Sequence, residues 1–408
     1  MKRAIIQSLM DWITRKTKRN FSSVIKVENK SVVMKIIIIS IFIFLFSRIS
    51  FCQYNGALDY FFFKRHPSAR AESMGRSFVS NGDDAGSIFY NPAGLSQING
   101  FQSSINYASP LYALTKAKYL FFSSSYKIKN YSIVGLAVNH LTFGEEFLLT
   151  TTNFPDGIGE KFTPFITNYT LTFASQPIHN LHFGINSNYL FSSFGAVTGH
   201  GLFMDIGSLK KFPLFKNGLG NHCLFVGYSL INFTLSDFKN DIEEPYSSTL
   251  NVNYSEAVEL PIISRFGISY QYIMIKPVFV DSLNLLEFTF HTQIDRVFNY
   301  DYLKAERIGL EIKIAEIIIL RSGYYSETLN AGNSAFEKNW NKDKLNEFTY
   351  GFGACLPLKK LTSGKLPMKF SIDMTSLPQP SYVIKESYLF GIISGQFTSF
   401  NIYFGWEI

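Results

Sequence analysis

The sequence predicts an all-β fold: a 14-stranded antiparallel transmembrane β-barrel with a short N-terminal helical plug. The chain holds 41 Phe and 23 Tyr among 408 residues, and aromatic and β-branched residues favour strands. Short segments alternate apolar and polar residues, which places the two kinds on opposite faces of a strand. After residue 53 no uninterrupted apolar run approaches the roughly 20 residues of a spanning helix. These three observations favour a membrane barrel over a helical membrane protein.

The first 52 residues are predicted to be a presequence. Residues 36–46 are almost wholly apolar and have the length of a signal-peptide core. Ser50 and Cys52 are small residues at positions minus three and minus one of a cleavage before Gln53. The mature chain is therefore expected to begin near residue 53.

Translation is expected to start at Met34, although a long basic leader is the alternative. Acylation of Cys52 is disfavoured, because the bulky Phe51 precedes it. Without residues 1–52 the chain keeps 28 basic and 29 acidic side chains, a net charge of −1. This balance gives no support for a nucleic-acid partner. Cys223 and Cys355 lack metal-ligand spacing, so we predict no zinc site and no disulfide framework.

The carboxy terminus shows the alternation most clearly, with Ile402, Phe404, Trp406 and Ile408 on one face. Such a pattern fits a barrel with lipid outside and a polar interior, or a soluble β-sandwich used for adhesion. The signal peptide and the aromatic last strand favour the barrel. The predicted strands are 102–108, 117–127, 131–143, 165–175, 181–192, 200–209, 221–232, 264–274, 285–296, 305–314, 317–326, 347–357, 368–376 and 396–408.

The connections predict one short and one long rim. Lys129-Asn130 and Ala315-Glu316 read as tight hairpins. Long extracellular loops are expected at 144–164, 233–263, 327–346 and 377–395, with a further strand possible at 387–393. Fourteen is an even number, and bacterial single-chain barrels have an even number of strands.

Residues 53–100 are predicted to form the plug, and 101–408 the barrel. Asp83 and Asp84 suit the start of a short helix, where carboxylates meet free backbone N–H groups. Asn91-Pro92 should end that helix, because the residue before a proline leaves the α region.

Several of these stretches resemble the PorV/PorQ group of FadL-like (OMPP1/FadL/TodX) outer-membrane barrels. The resemblance is carried by Pro67 to Gly75, by Asp83-Asp84-Ala85 and by Asn91 to Leu95, with weaker echoes at Arg307 to Glu311, Leu320 to Tyr324 and Phe404-Gly405-Trp406. It implies a 14-stranded barrel, filled by its amino-terminal segment, in the outer membrane of a Bacteroidetes-like Gram-negative bacterium.

The resemblance also implies where a functional site lies. In FadL-like barrels the segment around Asn-Pro-Ala lies beside the path of hydrophobic ligands. The corresponding plug and ligand-path residues are Asp83, Asp84, Phe89, Tyr90, Asn91, Pro92, Ala93 and Gly94. We further expect Arg65, Arg70 and Arg76 of the plug to pair with acidic interior residues such as Glu287 or Asp373.

No catalytic motif stands out, so we predict no enzyme activity and no cofactor or metal. His140, His182 and His291 lie on or near predicted strands and are expected to be polar residues facing the interior. Outer-membrane lipid is an expected partner.

Resemblance implies a type IX secretion accessory that docks on the translocon or binds the C-terminal signal domains of exported cargo. The alternative is a FadL-like passive transporter of hydrophobic small molecules, with Phe89, Tyr90 and Pro92 lining its pocket. An apolar cavity of several hundred cubic ångströms open to the outside would favour transport, whereas a filled lumen would favour docking.

Overall fold

The fold was analysed in a computed structural model. It describes residues 67–109, 117–129, 131–142, 144, 147–148, 161–195, 197–217, 220–234, 238–242, 254–258, 260, 262–278, 280–297, 304–328, 344–383 and 392–407. The predicted presequence and Arg65 lie outside these residues.

Fourteen strands form a closed antiparallel barrel, as the sequence predicts. The order around the wall is β1-β2-β3-β6-β7-β8-β9-β12-β13-β14-β15-β16-β17-β18, and β18 pairs with β1. The strands are β1 Phe101–Ala108, β2 Lys118–Lys129, β3 Ser132–Thr142, β4 Phe147–Leu148, β5 Lys161–Phe162, β6 Phe165–Ile178, β7 Leu181–Phe194, β8 Val197–Asn217, β9 Gly220–Thr234, β10 Phe238–Ile242, β11 Tyr254–Val258, β12 Ile263–Val278, β13 Val280–Val297, β14 Lys304–Ile314, β15 Ile318–Thr328, β16 Lys344–Pro357, β17 Met368–Val383 and β18 Ile392–Trp406.

The two rims differ, and we call them the turn rim and the loop rim. The turn rim carries the short connections, such as 179–180 and 315–317, where Ala315 and Glu316 adopt φ of 50° and 57°. The loop rim carries the long ones and the short connection between β7 and β8. Two of its loops hold short hairpins that the sequence did not predict, β4–β5 and β10–β11. The proposed extra strand at 387–393 is described only from residue 392, which already belongs to β18.

The wall has an apolar outer face and a polar inner face. Outward residues of β16–β18 such as Phe348, Ile372 and Ile402 are 72%, 57% and 55% exposed, whereas inward Asp373 and Asn401 are buried. A belt of exposed apolar side chains around a closed sheet is unfavourable in water and suits contact with lipid. The alternation is therefore that of a transmembrane barrel and not of a soluble sandwich.

Residues 67–98, here called the plug, fold into three short helices. These are α1 Ala69–Ser73, α2 Ser87–Tyr90 and a 3₁₀ helix Pro92–Gln97, while α3 Leu358–Leu361 lies at the turn rim. The Ser68 hydroxyl accepts a hydrogen bond from the Ala71 N–H and caps α1. As predicted, α2 ends before Asn91, which has an extended backbone. No helix in the described ranges is long and apolar enough to cross a bilayer.

Candidate functional site: the plugged lumen

The plug lies inside the barrel and contacts both halves of the wall. The α1 helix packs against β15–β18, and the 3₁₀ helix packs against β3, β6, β7 and β8. Inward glycines allow this close approach: a Cβ atom on Gly309 would lie 2.5 Å from the Met74 carbonyl oxygen. Gly323 faces the Gly75 backbone in the same way, and Gly184 faces Pro92. The wall therefore lacks side chains where the plug backbone passes.

Arg70 is the centre of an ion network on the α1 side. Its Nη1 donates to Asp83 at 2.6 Å and to Asp84 at 2.9 Å. Its Nε and Nη2 donate to the two Glu311 carboxylate oxygens, both at 2.8 Å. This two-pronged contact is the strongest geometry for an arginine–carboxylate pair. Arg70 thus ties two parts of the plug to strand β14.

The network continues into the wall. Arg321 donates to Glu311 at 2.7 Å and to Asp373 at 2.6 Å. Lys313 donates to Glu287 at 2.8 Å. Arg70 therefore pairs with the interior residue Glu311. The two carboxylates that we gave as examples of partners for the plug arginines pair with wall cations: Glu287 with Lys313 and Asp373 with Arg321.

Arg76 makes a second tie to the wall. Its Nη1 donates to Glu327 at 3.3 Å, and its guanidinium lies 4.5 Å from the centre of the Tyr325 ring. Arg307 shares Glu327 at 2.8 Å. Arg76 adopts φ of 64°, a left-handed backbone conformation that is unfavourable for residues other than glycine. The ion pair with Glu327 and the contact with the Tyr325 ring thus form while the Arg76 backbone is in this unfavourable conformation.

The two adjacent plug carboxylates have different environments. Burial raises the pKa of Asp84, which Arg70 only partly offsets, and the Tyr403 hydroxyl donates to Asp84 at 3.1 Å. Burial also opposes ionisation of Asp83, but Arg70 and Lys313 outweigh it and the pKa of Asp83 is lowered. Because 39% of the Asp83 side chain is exposed, solvent screens this effect. Asp84 also accepts the Gly86 N–H at 2.8 Å.

Asn91 fastens the other half of the plug. Its side-chain amide donates to the carbonyls of Val79 at 2.8 Å and Ser208 at 3.0 Å, and its Oδ1 accepts the Ala93 N–H at 3.1 Å. Gly94 packs on Gly82, where an added Cβ would lie 2.6 Å from the Gly82 Cα. Asn91, Pro92, Ala93 and Gly94 are buried, so in this state they hold the plug and do not line an open path.

The two aromatic residues of α2 pack in different places: Phe89 against the apolar cluster around Ile88 and Leu95, and Tyr90 against Met74 and Phe78. The Phe89 and Tyr90 rings meet edge-on with centres 5.2 Å apart, and Arg265 donates to the Phe89 carbonyl at 3.1 Å. Around Ile88 and Leu95 an apolar cluster covers the walls of β1–β8. Its wall members are Ala108, Ala117, Tyr119, Phe121, Ile133, Ala137, Leu141, Ile166, Ala174, Leu190 and Phe203.

Two cavities flank the plug, and charged or amide groups line both. A cavity of about 300 Å³ lies at the turn rim beneath Arg70, Asp83 and Asp84. One of about 20 Å³, room for roughly one water, lies beside Phe89 and is lined by Asn139, Asn168, Asn186, Asn188, Asp205, Asn232 and Arg265, together with apolar side chains. Neither of these two is an apolar cavity of several hundred cubic ångströms, the kind that would favour transport.

The three histidines fall in different places. His182 and His291 are buried and face inward, as expected. His140 lies on the outward face of β3 and bonds Thr167 at 2.7 Å, so its prediction was wrong. Ser96 Oγ lies 2.6 Å from His182 Nδ1 and donates to the Ala93 carbonyl at 2.7 Å. No carboxylate bonds His182 in the described part of the chain, so the pair lacks the orienting acid of a hydrolase triad.

Sequence reasoning missed the wall half of this site. Glu311, Arg321, Glu327 and Arg265 are charged residues that the strand alternation places inward, and that signal could have identified them. No group of three or more His, Cys, Asp or Glu side chains in the described ranges could hold a metal ion.

Neither a protein-family model nor a curated protein matches the sequence. Solved structures do. The toluene transporter TodX of Pseudomonas putida is 11% identical, with 83% of this chain and 96% of that chain covered and a TM-score of 0.41. The toluene transporter TbuX of Ralstonia pickettii is 10% identical over 83% and 97%, with a TM-score of 0.41. The CymD monoaromatic hydrocarbon channel is 9% identical over 83% and 96%, with a TM-score of 0.43.

At 9–11% identity and TM-scores of 0.41–0.43, these structures bear a distant likeness to the chain. The chain is a closed 14-stranded antiparallel barrel whose interior holds the plug.

Proposed function

We propose that this barrel acts with its lumen sealed, as a non-enzymatic outer-membrane docking protein. The observation that carries the proposal is the plugged lumen: the plug backbone lies against wall glycines in both halves of the barrel, and a buried ion pair joins Arg70 to Glu311. A solute would have to break these ties to pass. With the interior so occupied, the rims and loops are the surfaces free to bind other proteins.

In its most specific form, the proposal is a type IX secretion accessory that contacts the translocon or the C-terminal domains of cargo. Support for it comes from the motif at Pro67 to Gly75 and from the sealed lumen. The same motif supports a Bacteroidetes-like source. In this role the plug residues Asp83, Asp84 and Asn91 to Gly94 hold the seal and do not contact cargo.

A second candidate is transport of hydrophobic compounds, and the apolar cluster around Ile88 and Leu95 favours it. Phe89 lies between the apolar cluster and the small cavity, where β8 and β9 shift register at Asp205. A site of about 150 Å³ is needed for a ligand as small as benzene, far above the 20 Å³ present. Transport would therefore require the plug segment around Phe89 to move.

One pair of measurements separates the candidates. Tagged mature protein is purified from detergent-solubilised outer membranes and co-purifying proteins are identified, while uptake of radiolabelled toluene is measured in proteoliposomes. A large translocon barrel or cargo with its C-terminal domain, together with uptake equal to empty liposomes, is the expected result. If the barrel purified without partners and took up toluene saturably, transport would replace docking as the proposed function. The matched variant Phe89→Ala should change uptake only in that second case.

A further inference from the structure

The cavity of about 300 Å³ at the turn rim lies between the plug, the wall and α3. Asp83 and Asp84 line it on the plug side, and Lys359 and Lys360 of α3 line it at the rim. The α3 helix packs against both β13 and β17, which are not neighbours in the wall. Lys360 ties α3 to the β14–β15 turn by donating to both oxygens of Glu316, at 2.6 Å each. The cavity is therefore bounded by plug, wall and helix, and it has the size of a small-molecule site.

On the wall side the cavity presents an ammonium group without a counter-ion. Lys369 of β17 and Gln102 of β1 both pair in register with Gly405 of β18, so the three residues lie side by side on the inner face. Gly405 leaves open the space between the two side chains: an added Cβ would lie 3.6 Å from Gln102 Cγ and 3.7 Å from Lys369 Cβ. Neither side chain bonds another group among the residues that the structure describes. Ser371 follows on the same face and also lines the cavity. A charged donor beside two neutral ones suits a carboxylate.

On the plug side the cavity meets an excess of negative charge. The ion network there joins five carboxylates to three cations: Asp83, Asp84, Glu287, Glu311 and Asp373, with Arg70, Lys313 and Arg321. The Asp83 side chain is 39% exposed, whereas the other four carboxylates are 12% exposed or less. Its Oδ1 bonds Arg70 at 2.6 Å, but its Oδ2 lies 3.5 Å from Arg70, beyond the usual length of such a bond. One Asp83 oxygen is thus available to a cation in the cavity.

We propose that this cavity binds a small zwitterion, of the size of an amino acid or a dipeptide, from the turn-rim side. The ligand carboxylate accepts hydrogen bonds from Lys369 and Gln102, and the ligand ammonium group donates to Asp83. Each charge of the ligand meets a group of opposite charge, which offsets the cost of removing it from water. The site goes beyond the docking role, since it needs neither a protein partner nor passage through the plugged lumen.

The test measures binding of alanylalanine to the mature protein in detergent by isothermal titration calorimetry. N-acetyl-alanylalanine lacks the ammonium group and alanylalanine amide lacks the carboxylate, so each probes one end of the site without altering the protein. Lys369→Gln removes the ammonium group of the wall. Lys365→Gln is the matched control, because Lys365 is exposed on the same rim and does not line the cavity.

We expect the parent and Lys365→Gln to bind alanylalanine equally. Each capped dipeptide should bind the parent about tenfold more weakly, and so should alanylalanine with Lys369→Gln, since a hydrogen bond to a charged group contributes roughly that factor. Because both substituted lysines are exposed at the rim, the variants should keep the parent's circular dichroism spectrum.

Any of four results would overturn the proposal. If the parent bound no alanylalanine at millimolar concentration, the cavity would not be a zwitterion site. Equal binding of alanylalanine and either capped form would show that one of the two charges is not recognised. Equal binding by the parent and Lys369→Gln would place the ligand elsewhere, and an equal loss in Lys365→Gln would assign the effect to the overall charge of the rim.

Discussion

Arg70 joins two parts of the plug to the barrel wall through a single side chain. It bonds three carboxylates, from Asp83, Asp84 and Glu311, while itself almost fully buried. Burial makes each of these bonds costly to break, because a carboxylate left behind would be unpaired in a low-dielectric site. The alternative of an apolar residue at this position would leave Glu311 with only the wall cations.

We therefore expect Arg70→Met to destabilise the folded barrel by about 3–5 kcal/mol. Lys304→Met is the matched control, because Lys304 forms an exposed pair with Glu306 at 3.6 Å that should contribute at most about 1 kcal/mol. Urea unfolding in detergent micelles measures both. Equal effects of the two substitutions would show that the buried network does not stabilise the plug.

The lowered pKa of Asp83 predicts a pH dependence. A carboxyl whose pKa is lower in the folded state stabilises the protein above its unfolded pKa, near 4, and loses that effect as the pH falls. The stability difference between the parent and Asp83→Asn should therefore be largest at pH 7 and should shrink from pH 5 to pH 3. Unfolding midpoints across this range test it, and a difference independent of pH would contradict the assigned role.

At the scale of elements, the fit between plug and wall depends on glycines in the strands. Gly323 of β15 meets the Gly75 backbone so closely that a Cβ atom could not be accommodated without movement. Gly405 of β18 also faces inward, but its nearest neighbour, a Gln102 side-chain atom, would lie 3.6 Å from an added Cβ. The two positions share a residue type and differ only in what they face.

Gly323→Ala should therefore displace α1 and open the lumen, whereas Gly405→Ala should be neutral. Overpacking of this kind costs about 1–3 kcal/mol. Single-channel recording in planar bilayers is the direct measurement: we expect the parent and Gly405→Ala to be closed and Gly323→Ala to conduct ions. An open parent channel would contradict the sealed lumen on which the docking proposal rests.

The wall was predictable from the sequence because its signal is local. At Phe348–Leu356, Met368–Met374 and Phe400–Trp406 every second residue is apolar, and strand pairing follows chain order wherever connections are short. The plug was less predictable. Its helix end at Asn91 follows from Pro92, but the ties from Arg70 to Glu311 and from Gly75 to Gly323 join residues more than 200 positions apart. No pattern of spacing encodes which inward carboxylate an arginine reaches.

At the scale of the whole molecule, the lumen has two chemically different halves. The α1 half is ionic and centres on Arg70 and Glu311. The 3₁₀ half combines an apolar cluster around Ile88 and Leu95 with buried amides such as Asn186, which donates to the Ile88 carbonyl at 2.9 Å. Ionic ties are specific in direction, and apolar contacts tolerate sliding. Movement of the segment from Ile88 to Leu95 would therefore have to break the directional hydrogen bonds of Asn91 as well as slide the apolar cluster.

The distance in sequence between contacting residues also constrains how the barrel is assembled. Ser68, near the start of the plug, meets the hydroxyl of Tyr403 on the last strand, 335 residues later, at 3.5 Å. Strand β1 likewise closes onto β18 through Ser104 and Asn401, 2.9 Å apart. The plug and β1 thus reach these neighbours only after the last strand, β18, has been synthesised and inserted. Folding should accordingly be slow. A barrel truncated before β18 should leave Ser68 without its partner Tyr403 and β1 without its closing strand.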